Sequence, residues 1–362
     1  MSVKREVSEV ARQFAIEGKF LEAAPYGGGH INETYLATYE RGGANVRAVL
    51  QRINEKVFAD TAALMENIER VTQHLAAKAA NEPDSERRTL RLIADRDGRT
   101  LHVGAEGGQW RAWEYVDGAR SYDAIRSMKQ AFEGARAFGR FLTLLADLPA
   151  PRLKDTIPGF HYGPGRFAAL ARAVTVDAAG RAGRAGPEIA FALKRSAIAS
   201  DLAAAGLPER VTHNDTKINN VLLDDATGEG ICVIDLDTVM PGYAAYDFGD
   251  LVRSATCTAA EDEPDLSKVT MRFDFFEALA RGYLSAAREL LTRVEKESLV
   301  EGGKLITFLM GIRFLTDYLN GDTYYKVHRA DHNLDRCRVQ FRLLESIEAH
   351  ESAMVKFIRS IG

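Results

Sequence analysis

Apolar positions recur along this chain in two rhythms, and the rhythm changes near residue 120. From Met1 to Phe20 (MSVKREVSEVARQFAIEGKF) they return at helical spacing among charges, the pattern of an amphipathic helix. A Gly-rich segment, Gly27-Gly28-Gly29-His30-Ile31-Asn32, leads into the β-prone run Thr34–Tyr39. Arg41-Gly42-Gly43-Ala44-Asn45 is a turn signal, and Val46–Ile53 then reads as the second strand of a hairpin. Helical spacing takes over from Phe58 to Ala80, with Ala62, Met65, Ile68 and Leu75 in phase, until Pro83 ends it. Arg91–Ala94 and Thr100–Val103 flank Asp97-Gly98 and predict another hairpin. Trp110–Val116 is the last strand of this part, broken by Asp117-Gly118.

Beyond that point the helical rhythm dominates. Tyr122–Leu148 places Phe132, Ala135, Phe138, Phe141, Leu142 and Leu145 on one side. A small-residue loop spans Gly180–Gly186, and Ile189–Ala205 predicts a further helix. Two short β runs, Asn220–Leu223 and Gly230–Leu236, flank a polar turn, and helical patterns fill 267–294, 298–320 and 331–360. The pattern predicts an α+β protein of two lobes. A small β-rich N-lobe covers 1–115, a larger and mainly helical C-lobe covers 116–362, and the connector lies near 114–119.

Composition narrows the class without choosing a chemistry. The 362 residues carry 47 basic and 51 acidic side chains, a net charge of −4, which argues against a general nucleic-acid binder. Cys232, Cys257 and Cys337 are far apart and form no CxxC, so neither a disulfide framework nor a zinc ribbon is expected, and a reducing cytoplasm fits. No run approaches 18 uncharged apolar residues, so no membrane partner is expected, and the first residues lack the apolar core of a signal peptide. Oligomeric state is left open, a monomer being compatible with everything above.

The chemistry concentrates in 211–250. His213-Asn214-Asp215-Thr216-Lys217-Ile218-Asn219-Asn220 follows the H-x-D-x-x-x-x-N spacing of kinase catalytic loops. A polar turn then returns the chain to Val233-Ile234-Asp235-Leu236-Asp237 at the end of an apolar run. One carboxylate, Asp215, is set apart to orient or deprotonate an acceptor hydroxyl. Asn220 and Asp235, with Asp237 assisting, are the oxygen donors that suit Mg²⁺. Lys217 lies two residues past the base, where its charge would steady a migrating phosphoryl group. A literal Asp-Phe-Gly at Asp247-Phe248-Gly249 opens a helix-like run after a turn, Met240-Pro241-Gly242-Tyr243. Asp247 is therefore expected to brace the loop or cap that helix, with Asp235 as the metal ligand. No G-x-x-x-x-G-K-[ST] occurs, which argues against a P-loop NTPase.

These motifs together resemble the aminoglycoside phosphotransferase and choline kinase family of small-molecule kinases. Within it they are most similar to the N-acetylhexosamine 1-kinases. The matching pieces are Gly27–Tyr35, Leu50–Asn54, His213–Asn220, Val233–Gly242, Tyr246–Arg253 and Arg313–Asp322, which run through nearly the whole chain. The resemblance implies a protein-kinase-like fold, ATP and Mg²⁺ as cofactors, and a small sugar as the acceptor. The Gly-rich turn, with Gly28, Gly29 and Asn32, would close over the phosphates. The family's strand lysine has no counterpart in VRAVLQRIN, so Arg52 is the expected phosphate cation rather than Gln51. Its expected helix partner is Glu66, with Asp60 and Glu69 as alternatives. Glu114 and Val116 would hold adenine through their main chain, while Trp110, Trp113 and Tyr115 read as core aromatics. For the sugar, the resemblance implies Asp215, Asp237, His30, Arg313 and Tyr324. The implied reaction is transfer of the γ-phosphoryl group of ATP to the anomeric hydroxyl of an N-acetylhexosamine such as GlcNAc or GalNAc. A same-family kinase for another sugar, an amino alcohol or an aminoglycoside, and a non-catalytic nucleotide-binding protein, are the alternatives.

Overall fold

The computed structural model describes residues 3–27 and 31–362, and the chain folds as an α+β protein with a β-rich N-terminal lobe and a helical C-terminal lobe. The first helix, α1 (Val3–Ala11), is shorter than its apolar rhythm predicts. The rhythm misleads because Phe14 and Ile16 are buried from an extended segment, with Phe14 bridged to Asp95, and the chain then enters strand β1 (Lys19–Pro25). Gly18 makes that entry (φ +115°); a Cβ there would lie 2.5 Å from the Glu40 carbonyl oxygen. β1 pairs with β2 (Glu33–Arg41), which turns at Gly42-Gly43 into β3 (Ala44–Arg52), the hairpin the sequence predicts. Helix α2 (Thr61–Ala79) follows, its first turn capped by the Asp60 carboxylate on the Ala63 N–H.

Strands β4 (Leu92–Ile93), β5 (His102–Val103) and β6 (Gln109–Glu114) complete a six-stranded sheet of order β1-β2-β3-β6-β4, with β5 also on β6. The hairpin expected around Asp97-Gly98 is not formed. The turn closes, with the Asp95 N–H on the Arg99 carbonyl at 2.7 Å, but β4 and β5 each pair with β6 instead of with each other. Asp95 is the cause: buried, it gathers the N–H groups of Asp97 and Arg99 and the His102 ring, a knot too compact for a two-stranded ladder. One face of the sheet, with Tyr35, Ala37, Tyr39, Leu50 and Trp110, packs on Val7, Val10 and Phe14. The other face turns toward α2 and the second lobe.

The chain leaves this sheet at Glu114 and enters strand β7 (Ala119–Arg120), which belongs to the second lobe. There follow α3 (Met128–Leu144), α4 (Gly163–Val176), α5 (Gly186–Lys194) and α6 (Ile198–Ala204). The single helix expected over 189–205 is thus two; at the break Arg195 makes a bidentate pair with Glu348, both contacts at 2.9 Å. Strands β8 (Arg210–Thr212), β9 (Val221–Asp224), β10 (Gly230–Val233) and β11 (Met240–Gly242) precede α7 (Ala244–Thr256), α8 (Phe273–Ala287), α9 (Arg293–Leu319) and α10 (His332–Ile361). Met240-Pro241-Gly242, expected as a turn, is a strand paired with β8 in a two-stranded ribbon, where a proline lacking an N–H is tolerated. Among the described residues no helix is long and apolar enough to cross a membrane.

Helix α7 lies directly behind the loop His213–Asn220, and glycines set its depth against α9. A Cβ on Gly249 would lie 2.3 Å from the Gly302 carbonyl oxygen, and one on Gly302 would lie 2.0 Å from the Ala245 carbonyl oxygen. Alanine is the better helix former by about 1 kcal/mol, yet here it must push backbone away from backbone. Gly302→Ala is accordingly expected to lower stability by roughly 1–3 kcal/mol, read from urea unfolding; an unchanged or raised midpoint would contradict the close crossing.

Candidate active site

The loop His213–Asn220 leaves β8 and is held from behind by α7. Asp247, fully buried in the first turn of that helix, accepts the His213 N–H at 3.0 Å and the Asn214 N–H at 2.7 Å. The Thr216 hydroxyl donates to the Asp247 carbonyl at 2.5 Å. Burial pushes the Asp247 carboxyl up to about 7, and the two backbone N–H groups pull against that rise. The bracing expected of Asp247 from the sequence is what the contacts show. Asn214 adopts φ +65° and threads its amide between the Thr212, Thr238 and Met240 carbonyls. The His213 ring packs edge-on to Phe138 and Phe141, meets the Ile234 carbonyl through Nε2 at 2.9 Å, and accepts the Asp215 N–H on Nδ1 at 3.3 Å. Burial lowers its pKa, and this bonding assigns a neutral ring protonated on Nε2.

Asp215 emerges from this frame toward the cleft. The Asn220 amide donates to its carbonyl at 2.8 Å and to Oδ2 at 3.2 Å, and the Lys217 ammonium stands 3.1 Å from Oδ1. Burial opposes ionisation, but the charge of Lys217 prevails and holds the carboxyl below its ordinary range; Asp215 in turn raises the Lys217 pKa. The β9–β10 hairpin brings back Asp235, which sits in the left-handed region at φ 60°. Burial, then the charges of Asp237 and Asp215, push the Asp235 carboxyl up to about 7. It is a carboxylate short of positive charge. Among the described residues no three His, Cys, Asp or Glu side chains converge to hold a metal unaided. A carboxylate from Asp235 and an amide oxygen from Asn220 are nevertheless a donor set that fits Mg²⁺ when phosphate oxygens complete the shell.

The nucleotide side departs from expectation. Strand alternation puts Leu50 and Arg52 on the face toward α1, where Arg52 lies against Gly108 and 3.9 Å from Glu33. Gln51 is the residue that faces the cleft. Arg52 therefore does not meet Glu66, which pairs with Lys154 at 2.6 Å; Asp60 caps α2, and Glu69 accepts the Thr100 hydroxyl. The cation on the cleft face is Arg111, directly opposite Gln51 in the β3–β6 register. Its Nε donates to Gln51 Oε1 at 3.0 Å, and its Nη1 lies 2.5 Å from Asp237 Oδ1, with the two side chains only 1% and 4% exposed. Asp237 Oδ2 takes the Asn32 amide at 2.5 Å, while Asn32 Oδ1 accepts the Asn54 N–H. Asp237, expected on metal and sugar, and Asn32, expected on phosphate, are thus engaged with the protein and tie the lobes together. The alternation of Trp110-Arg111-Ala112-Trp113 was the signal for Arg111, but a strand arginine gives no sign by itself that it is buried. Trp110 and Trp113 are core residues, as expected. At the connector the Glu114 N–H is donated to the Arg91 carbonyl, whereas the Val116 N–H has no partner among the described residues. Gly28, Gly29 and His30 lie outside the described residues.

On the far side of Asp215 lies an aromatic wall. His161 Nε2 meets the Asn214 carbonyl at 2.8 Å, and its ring lies tilted between those of Phe160 and Tyr246. The Arg313 guanidinium lies over the Phe160 ring at 5.1 Å and near Tyr325 at 5.8 Å. Tyr324 is 56% exposed, and Tyr325 beside it is the inward-facing ring. Sequence reasoning missed Asp317, one helical turn after Arg313. Its buried carboxylate accepts the N–H groups of Thr323, Tyr324 and Tyr325 and so fixes the turn that carries both tyrosines.

A family model described as the phosphotransferase enzyme family matches residues 22–287. Solved structures of similar fold include a microcompartment-associated aminopropanol kinase, at TM-score 0.60 and 17% identity, covering 96% of this chain and 97% of that one. A choline kinase from Cryptosporidium parvum Iowa II matches at TM-score 0.56 and 14% identity, with 98% of each chain covered. An ADP-bound aminoglycoside phosphotransferase matches at TM-score 0.54 and 12% identity, covering 96% of this chain and 99% of that one.

The contact of His161 with the loop is expected to depend on pH. Burial brings His161 down to about 4 from an ordinary 6.5, so the neutral ring's contribution is whole above pH 6.5 and is lost as pH falls toward 4. The stability of the wild type relative to His161→Gln is expected to fall by about 3 kcal/mol across that window, read from paired denaturant titrations at several pH values. A pH-independent difference would contradict it.

Proposed function

The chain belongs to the phosphotransferase enzyme family, and we propose that it transfers the γ-phosphoryl group of ATP to the anomeric hydroxyl of an N-acetylhexosamine, giving the sugar 1-phosphate. What supports this reading is that Asn220 bonds Asp215 and, through its carbonyl, the Ile234 N–H next to Asp235, with Asp247 held behind the loop. The family supports phosphoryl transfer to a small molecule, the ADP-bound relative supports the nucleotide, and the sugar rests on the motif resemblance.

Asp215, kept ionised by Lys217, would accept the hydrogen bond of the acceptor hydroxyl and orient its oxygen toward the γ-phosphorus. As the O–P bond forms and the bond to the β–γ bridging oxygen breaks, the hydroxyl proton passes to Asp215 and ADP leaves. Lys217, 3.1 Å from Asp215, would steady the negative charge of the transferred group. Transition states of this kind are loose, so placement and charge account for most of the rate. Asn220 and Asp235 would hold Mg²⁺, which when bound neutralises charge on the β- and γ-phosphates. Arg111, by pairing with Asp237, would offset part of the repulsion that this second carboxylate adds at Asp235. The main chain of Val116 supplies a free donor for adenine at the connector. On the acceptor side Arg313 offers directional donors to sugar oxygens, and Tyr325 offers a ring for a pyranose face.

An acceptor panel tests the reading: GlcNAc, GalNAc, glucose, galactose, choline, aminopropanol and an aminoglycoside, with the phosphate located by ³¹P NMR. Sugar 1-phosphate from the N-acetylhexosamines is the expected result. Transfer to an amine-bearing alcohol or to another hydroxyl would reject the acceptor. Asp215→Asn is expected to lower kcat on the order of 10²–10⁴-fold with Mg-ATP binding retained, and near-normal turnover would reject its role.

A further inference from the structure

Buried and half-buried arginines of the second lobe are often met by carboxylates: Arg210 by Glu295 at 2.9 Å, Arg253 by Asp250 at 2.8 Å. Two half-buried arginines beside the candidate site are not. Arg166, from α4, donates Nε to the Phe160 carbonyl at 3.1 Å, and its two terminal nitrogens have no partner among the described residues. Among the described residues Arg313, from α9, has only the Met310 sulfur at 3.3 Å, a weak acceptor, and the faces of Phe160 and Tyr325. No carboxylate among the described residues lies within ion-pair distance of either. Phe160 links them, its carbonyl on Arg166 and its ring under Arg313. The Tyr325 hydroxyl, held in the same cluster by Asp317, is buried without a hydrogen-bond partner. The cluster adjoins the catalytic loop, because His161, next to Phe160, is bonded to Asn214, next to Asp215.

We infer that Arg166, Arg313 and the Tyr325 hydroxyl form an anion subsite of the acceptor pocket, so that the sugar phosphorylated here carries a carboxylate. This rests on the kinase reading above and narrows its substrate class. Two guanidiniums without counterions repel one another and are costly to desolvate; Arg166 is already pulled below its ordinary pKa by burial and by the charge of Arg313. A carboxylate between them answers both costs, since planar forks match its oxygens and an orphan hydroxyl donates a further bond. A cationic acceptor would add a third positive charge. The carbonyl of an N-acetyl group could take a hydrogen bond here but would leave the charge uncompensated.

The test compares matched acceptor pairs differing only at C6: N-acetylglucosamine with its uronic acid, and glucose with glucuronate. Binding is read by calorimetry on the full chain with Mg²⁺ and a non-hydrolysable ATP analogue, and turnover by ADP release. The acid of each pair is expected to bind at least tenfold more tightly. That ratio should fall toward one in Arg166→Gln and Arg313→Gln and be partly kept in Arg166→Lys, with thermal unfolding confirming that each variant is folded. A hexose 6-phosphate preferred over the carboxylate would support the same anion site with phosphate as its ligand. Equal or tighter binding of the neutral sugars, or a ratio untouched by both glutamine variants, overturns the inference. Neutral sugars phosphorylated with no acid preference would remove it and leave the kinase reading. Arginine-dependent acid binding with no transfer to any sugar would keep the subsite and remove that reading's acceptor.

Discussion

The loop that carries the candidate catalytic residues hangs on one buried carboxylate. Asp247 collects consecutive backbone N–H groups from His213 and Asn214, and no other group among the described residues reaches them. Left unmatched in the interior, each would cost on the order of 1–3 kcal/mol, and the loop would move to find water. With them satisfied, Asn214 can hold its left-handed conformation and Asp215 is aimed into the cleft. The constraint reaches outward as well, because Asp247 can stand there only if α7 is seated against α9, which is why the crossing is made through Gly249 and Gly302.

Charge around the cleft is distributed by the same economy of partners. Asp215 has Lys217, and Asp237 has Arg111 from the opposite lobe. Asp235 has no ion-pair partner among the described residues, and burial, then the charges of Asp237 and Asp215, raise its pKa. A site that balances two carboxylates and leaves the third exposed to its neighbours' fields is ready to bind positive charge. A chain with net −4 can therefore accept a polyphosphate accompanied by a divalent ion. The pairing of Arg111 with Asp237 also joins the two lobes directly.

The parts legible in the sequence were those whose chemistry is local. The spacing of His213, Asp215 and Asn220 encodes a loop whose hydrogen bonds join residues two and five apart, so the motif and its geometry are nearly one statement. The separation of Asp235 from Asp247 was legible too, since a strand end and a helix start have different surroundings. What was not legible was set by tertiary packing. Whether Gln51 or Arg52 faces the cleft depends on which side of the sheet α1 covers, and no periodicity within β3 reveals it. Glu66 and Arg313 lie on helix faces whose neighbours come from distant segments, and the isolation of Arg166 is visible only when every nearby carboxylate has been placed. Met240-Pro241-Gly242 looked like a turn because Pro-Gly usually is one; its pairing with β8 comes from a segment 28 residues earlier, where Thr212 meets Met240.

On this reading Asp235 is the carboxylate that joins nucleotide to metal. ATP affinity measured as a function of Mg²⁺ concentration, in the wild type and in Asp235→Asn, tests that role most directly. Mg²⁺ is expected to strengthen ATP binding to the wild type, and this gain is expected to vanish in the variant, with metal-free ATP binding little changed. A variant that keeps the full magnesium-dependent gain would contradict it.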